Sequence, residues 1–171
     1  MRQLPFHKLL LLALCSATLI FPNIAPSSAQ PTPTQESNPT QQIQQKLLGQ
    51  WEYKDVAQNI ALTFVFAPDG KFFILSPLDG NNQRRAVQMR YTMNSIPKPI
   101  HLDISLPNQD KPVQTIFEFT ADGKMRMQLE GTDPGKPRPG KFVNNGSIFE
   151  RISDSTELPS GTVLLDGKSR K

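Results

Sequence analysis

In four separate runs the apolar side chains recur at every second position, and that spacing constrains the fold more than any other feature of the chain. Leu62, Phe64 and Phe66 alternate with Ala61, Thr63 and Val65; Val87, Met89, Tyr91 and Met93 alternate with Gln88, Arg90 and Thr92. Ile100, Leu102, Ile104 and Leu106 alternate with His101, Asp103 and Ser105, and Met125, Met127 and Leu129 with Arg126, Gln128 and Glu130. A period of two marks strands with one face on a core and the other toward water. Asp69-Gly70 and Asp122-Gly123 fall between such runs, where glycine accepts the positive φ of a tight hairpin. Eight strands are predicted, at 50–56, 61–67, 71–76, 86–93, 100–106, 113–120, 124–130 and 147–152, with no amphipathic helix of any length between them. Eight consecutive antiparallel strands leave two raw edges unless the sheet closes, so the expected fold is all-β, a small eight-stranded antiparallel up-and-down barrel.

The two ends of the chain read differently. Residues 1–29 carry Arg2 and Lys8, the apolar run LLLLALCSATLIF and then Ser27-Ser28-Ala29, the order of a secretory signal peptide cut after Ala29. The apolar run is shorter than the roughly 20 residues a bilayer span needs, so no stable membrane span is expected once the signal is removed. Cys15 lies within that run, behind Leu14 and ahead of further apolar residues, and reads as an ordinary signal-core cysteine; the alternative is the lipid-bearing cysteine of a lipoprotein. Cleavage leaves no cysteine, which excludes disulfides and thiolate chemistry, and leaves His101 as the last histidine. It also leaves 17 Lys and Arg against 15 Asp and Glu, so the net charge falls from +4 to +2 and no nucleic-acid partner is expected. Residues 30–45, rich in Pro, Thr and Gln, are expected to form a disordered linker, 46–153 the barrel domain and 154–171 a polar tail. The expected location is periplasmic or extracellular, or a thylakoid lumen.

Few residues suggest chemistry. The segment GTDPGKPRPGKF at 131–142 is too long for a tight hairpin; Pro137 and Pro139 fix φ and remove amide donors, which describes a stiff connection over a barrel mouth. Its functional reading is a basic lip of Lys136, Arg138 and Lys141, joined by Arg90, for an anionic ligand or an acidic protein partner, with Arg138 the strongest candidate. His101, Asp103 and Ser105 point the same way along one strand but stand about 7 Å apart, too far for a relay of hydrogen bonds. A lone histidine without cysteines supports neither a metal site nor a triad. Asp69, Asp79, Asp122 and Asp133 each precede Gly or Pro and are accounted for by turn chemistry, and no glycine-rich phosphate cradle is found. Met89, Met93, Met125 and Met127, with Phe64, Phe66, Phe117 and Phe119, are expected to point inward, either as a packed core or as a pocket for a flexible apolar ligand.

Gly49-Gln50-Trp51 at the first strand and Arg151 in the last resemble the calycin pattern, in which a tryptophan at the closed end of a barrel packs beneath a late arginine. The ordered series LLGQW, PKPIHLDI, GKPRPGKF and IFERI, covering 46–152, resembles lipocalin-like bacterial domains of unknown function seen in planctomycetes and cyanobacteria. That resemblance implies a lipocalin-like barrel and no established activity. Independently, a guanidinium over an indole is worth about 0.5–2 kcal/mol, so Trp51 and Arg151 are assigned as a structural pair fastening the first strand to the last. The expectation is an exported, uncharacterised β-barrel without catalytic residues, metal or cofactor, acting as a binding or accessory module. The alternatives are a carrier of a small apolar ligand inside the barrel and an enzyme with a shallow mouth site built from Arg90, His101 and Arg138.

Overall fold

A computed structural model of the protein describes residues 38–55, 60–80 and 82–165. The expected signal peptide with Cys15, the linker up to residue 37 and the last six positions of the tail lie outside the described residues. A helix, α1 (Pro39–Leu47), precedes nine strands: β1 (Gly49–Asp55), β2 (Ile60–Ala67), β3 (Lys71–Leu75), β4 (Arg84–Asn94), β5 (Ile100–Ser105), β6 (Val113–Phe119), β7 (Met125–Met127), β8 (Ser147–Ser153) and β9 (Thr162–Leu165). β1 to β8 pair each with the next, antiparallel, and β8 returns to β1, so eight strands close into an up-and-down barrel. Closure pairs the backbone edges that an open sheet would leave bare.

The alternation places one face of each strand inside. Phe64, Phe66, Phe72, Met89, Leu102, Phe117, Met125, Met127 and Phe149 form a buried cluster with Trp51 and Tyr91. The aromatic rings meet at tilted or edge-on angles, as in Phe64 against Phe72 with centroids 5.1 Å apart and Phe66 against Tyr91 at 5.2 Å. The β2–β3 hairpin turns where expected, through Asp69 (φ 61°) and Gly70 (φ 68°). A Cβ on Gly70 would lie 2.7 Å from the Tyr91 carbonyl oxygen, so glycine is required there for space as well as for φ.

Two expectations at the ends of the domain need correction. The linker, expected to be disordered through residue 45, is helical from Pro39: the Asn38 side chain accepts a hydrogen bond from the Thr40 amide at 3.1 Å, and proline occupies the first turn. Ile43 and Leu47, one turn apart, pack on the barrel core, and Leu47 is fully buried. Composition counts only what a segment buries against itself; here the barrel supplies the other half of the contact. The tail, expected to be polar apart from a short apolar patch at Val163 to Leu165, crosses the outside of the barrel: Gln50 Nε2 donates to the Glu157 carbonyl at 2.9 Å and Leu158 packs on Val65, Ala67, Phe73, Leu75 and Ala86. It then adds β9 in parallel to β4, from Arg84 opposite Thr162 to Val87 opposite Leu165.

Both outer additions cover places where the ring is incomplete. β5 pairs with β4 only over Arg90–Asn94, because Pro107, which has no amide to donate, turns the chain away; β9 takes up the vacant edge at Arg84–Val87. β7 pairs with β6 only over Phe117–Phe119, and the start of β6 is met by the 131–146 connection, through a Val113–Pro134 bridge and Gly135 N donating to the Pro112 carbonyl at 3.1 Å.

Candidate functional site

The barrel has a closed end and an open one. At the closed end lie the start of β1, the β2–β3, β4–β5 and β6–β7 connections, and α1 across them. Trp51 is fully buried, donates its indole N–H to the Leu47 carbonyl at 2.9 Å, and sits opposite Arg151 in the β1–β8 register. The Arg151 guanidinium lies over the indole with Cζ 4.5 Å from the ring centroid, and donates to the carbonyls of Leu48 at 2.8 Å and Lys46 and to Asp154 at 2.7 Å. Gly49 has φ 118°, and a Cβ there would stand 2.7 Å from the Ser153 carbonyl oxygen and 2.8 Å from Arg151 Nη1. The glycine, tryptophan and arginine of the motif thus act as one unit: close backbone approach at Gly49 lets Arg151 reach across the seam and satisfy the carbonyls at the end of α1.

The basic lip is not assembled. Arg138, its strongest candidate, is held on the outer flank of the barrel, its guanidinium bonded to the carbonyls of Leu102, at 3.0 Å, and Thr115 and paired with Asp103. Its side chain is only 16% exposed, because a planar fork with five donors can bridge two strands and a carboxylate at once. Lys136 is paired with Asp133 three residues back, and Lys141 is exposed further along the same connection. Arg90 is elsewhere, beside α1, donating to the Asp69 carbonyl at 3.0 Å in a recess of about 380 Å³ that includes Thr40 and Gln44. The prolines in GKPRPGKF therefore stiffen a strap rather than a lip. The strap is fastened further by the Arg126 guanidinium 4.3 Å from the Phe142 ring and by buried Gln128, whose side chain accepts from the Val143 amide at 2.8 Å and donates to the Glu130 carbonyl at 2.8 Å. Gln128 falls in phase with outward-facing residues and so has no local signal of burial; its burial and its bonds depend on the path of the returning loop.

The three-residue enzyme site does not converge either. Asp103 is committed to Arg138, Arg90 lies beside α1, and His101 pairs in register with Asn94 on one side and Ile116 on the other.

At the open end the inward positions are apolar and only partly covered: Tyr53, Leu62, Ile74, Val87, Leu106, Val113 and Leu129 pack on the core from above. Where β5 leaves β4, a recess of about 350 Å³ opens, lined by Ile74, Val87, Met89, Leu106, Pro107 and Gln109. Exposed aliphatic side chains lie at this end, Ile60 at the start of β2, Leu78 in the β3–β4 connection, Val143 in the strap and Ile148 at the start of β8, as they do at the closed end with Ile96 and Ile152. This mouth is the candidate site. Its signal in the sequence is that Val87 and Leu106 are the inward members of their alternating runs nearest the open end, whereas the length of β5, which decides that a recess forms, depends on Pro107.

No family model, no curated protein and no solved structure matches the chain.

Proposed function

We propose that the protein is an exported, non-enzymatic binding module of lipocalin-like type that takes an apolar group at the open mouth of its barrel. The observation that carries this reading is the recess of about 350 Å³ bounded by Ile74, Val87, Met89, Leu106 and Pro107, set above the buried apolar cluster. Small-molecule sites run from about 300 to 1,000 Å³ and are mostly apolar with few polar groups. A dry cavity of about 150 Å³ already accepts benzene, so the recess has room for a short aliphatic or aromatic moiety but not for a bulky polycycle. Met89 at its floor is a side chain that adapts to the shape of what it meets. Export is supported by the signal-like order of residues 1–29, and the lipocalin-like character by the Gly49–Trp51–Arg151 unit at the closed end.

Displacement of a fluorescent apolar dye by decanol, followed on the full chain, tests the reading. Decanol should compete in the wild type, and Val87→Asn, which places an amide in the recess, should weaken it about tenfold, the effect of roughly 1.4 kcal/mol. Absence of competition in the wild type, with the far-ultraviolet β-signature intact, overturns it.

A further inference from the structure

Closing the ring does not pair every edge of the sheet, and the strand added last, β9, is bonded on one side only. It stands at the end of the sheet order, parallel to β4 from the Arg84–Thr162 pair to the Val87–Leu165 pair, and among the described residues no strand pairs its other side. Its residues Thr162-Val163-Leu164-Leu165 contain no lysine, no proline and no break of register, the devices by which natural sheets keep an edge from pairing. The apolar side chains of Val163, Leu164 and Leu165 are 41%, 50% and 43% exposed, so both faces of the strand are uncovered. Leu165 lies opposite the inward Val87 and shares its face with Val163, whereas Leu164 lies opposite Ala86 on the outer face.

We propose that this edge joins two copies of the chain, β9 pairing antiparallel with the β9 of a second copy across a two-fold axis. Such an isologous pair keeps each face of the sheet continuous, so residues opposite one another must share a face and their numbers must sum to an even value. Of the registers this allows, only the one with Leu164 opposite the second copy's Leu164 sets every apolar residue against an apolar residue, Val163 meeting Leu165 on either side of the axis. The charges agree with that register. One step along, Asp166 of one copy falls opposite Thr162 of the other, and Arg84 follows in the next strand on the same face, while Arg85 is engaged by Asp79 at 3.9 Å. Each copy thus brings one carboxylate toward the other's guanidinium. Gly161 ends the ladder, because the chain turns there with the Thr162 amide bonded to the Pro159 carbonyl at 3.2 Å. The pairing stands independently of what the mouth binds.

Sedimentation of the full chain over a range of concentrations tests the pairing. A four-residue ladder belongs with small, transient interfaces, so half-association is expected at roughly 10–100 μM. Leu164→Lys sets two like charges face to face on the axis and should raise that midpoint at least about tenfold, with the far-ultraviolet β-signature unchanged. Oxidative crosslinking checks the register in a Cys15→Ser background, which has no other cysteine. Leu164→Cys should give a disulfide-linked dimer, because directly opposed Cα atoms lie about 4.5–5.5 Å apart. Val163→Cys should not, since two residues of offset separate it from its own copy by roughly 8 Å, beyond the reach of a disulfide. A wild type monomeric throughout that range leaves the edge to a different occupant or to none, and overturns the pairing. A dimer indifferent to Leu164→Lys, or one crosslinked through Val163 in preference to Leu164, overturns it as well, placing the contact on another surface or in another register. The cysteine variants decide the outcome even where Leu164→Lys fails to fold.

Discussion

Arg151 and Arg126 show how the same residue type acquires different weight from its position. Arg151 bonds two main-chain carbonyls and Asp154 while covering Trp51; Arg126 pairs with Glu118 and stacks on Phe142, and its Nε is buried without a partner. Charge-assisted bonds to carbonyls contribute about 1.5–3 kcal/mol each in favourable cases, whereas partly exposed ion pairs contribute about 0–1 kcal/mol. Arg151→Ala should therefore cost about 2 kcal/mol or more in urea unfolding and Arg126→Ala less than about 1 kcal/mol. Equal midpoint shifts for the two variants would remove the case for a seam fastened by Arg151. The pair Trp51 and Arg151 could be picked from the sequence because each belongs to a terminal strand of a ring that must close. The role of Arg138 could not, because its partners, Leu102, Thr115 and Asp103, are brought to it only by the path of the strap.

Among the elements, the strands were legible and the segments that complete them were not. Alternation located β1 to β8 to within a few residues, since a half-buried strand must repeat every two positions. It overextended β7, expected through residue 130 and observed as Met125–Met127, because the chain there leaves the ladder to enter the strap. The tail from Ser155 onward illustrates the other failure. Val65, Ala67, Phe73, Leu75 and Ala86 make the outer face of β2 to β4 apolar as well, and such two-sided strands need a cover. Leu158 provides it, while β9 extends the sheet along the edge of β4. A chain stopped after Asp154 should lose at least about 2 kcal/mol, the order of one uncovered leucine, and bind an apolar dye more strongly on its flank. An unchanged urea midpoint for the shortened chain would mean that the tail rests on the barrel without supporting it.

For the molecule as a whole, a phenol buried in the core bears on stability at high pH. Burial pushes the Tyr91 phenol above its ordinary value of 10.0, at the centre of a ring cluster with Phe66. The unfolded chain loses that proton near pH 10 while the folded chain retains it, so the contribution of Tyr91 is complete below about pH 10 and is lost as pH rises through the folded value. Lys124, held above its ordinary range by Glu150, shifts stability in the same direction, but its side chain is partly exposed and screened by salt. At high salt the Tyr91→Phe variant should hence show a flatter decline in stability above pH 10 than the wild type; parallel declines would place the alkaline sensitivity elsewhere. What the sequence determined by itself was the number, order and facing of the barrel strands and the residues of the closing seam. These follow from local periodicity and from turns that Gly and Asp favour. Tertiary structure alone decided where the ring is incomplete, which outer segments fill the gaps, and hence where the mouth opens. Those features depend on how far each strand stays paired with its neighbour, a contest between distant segments that no local pattern records.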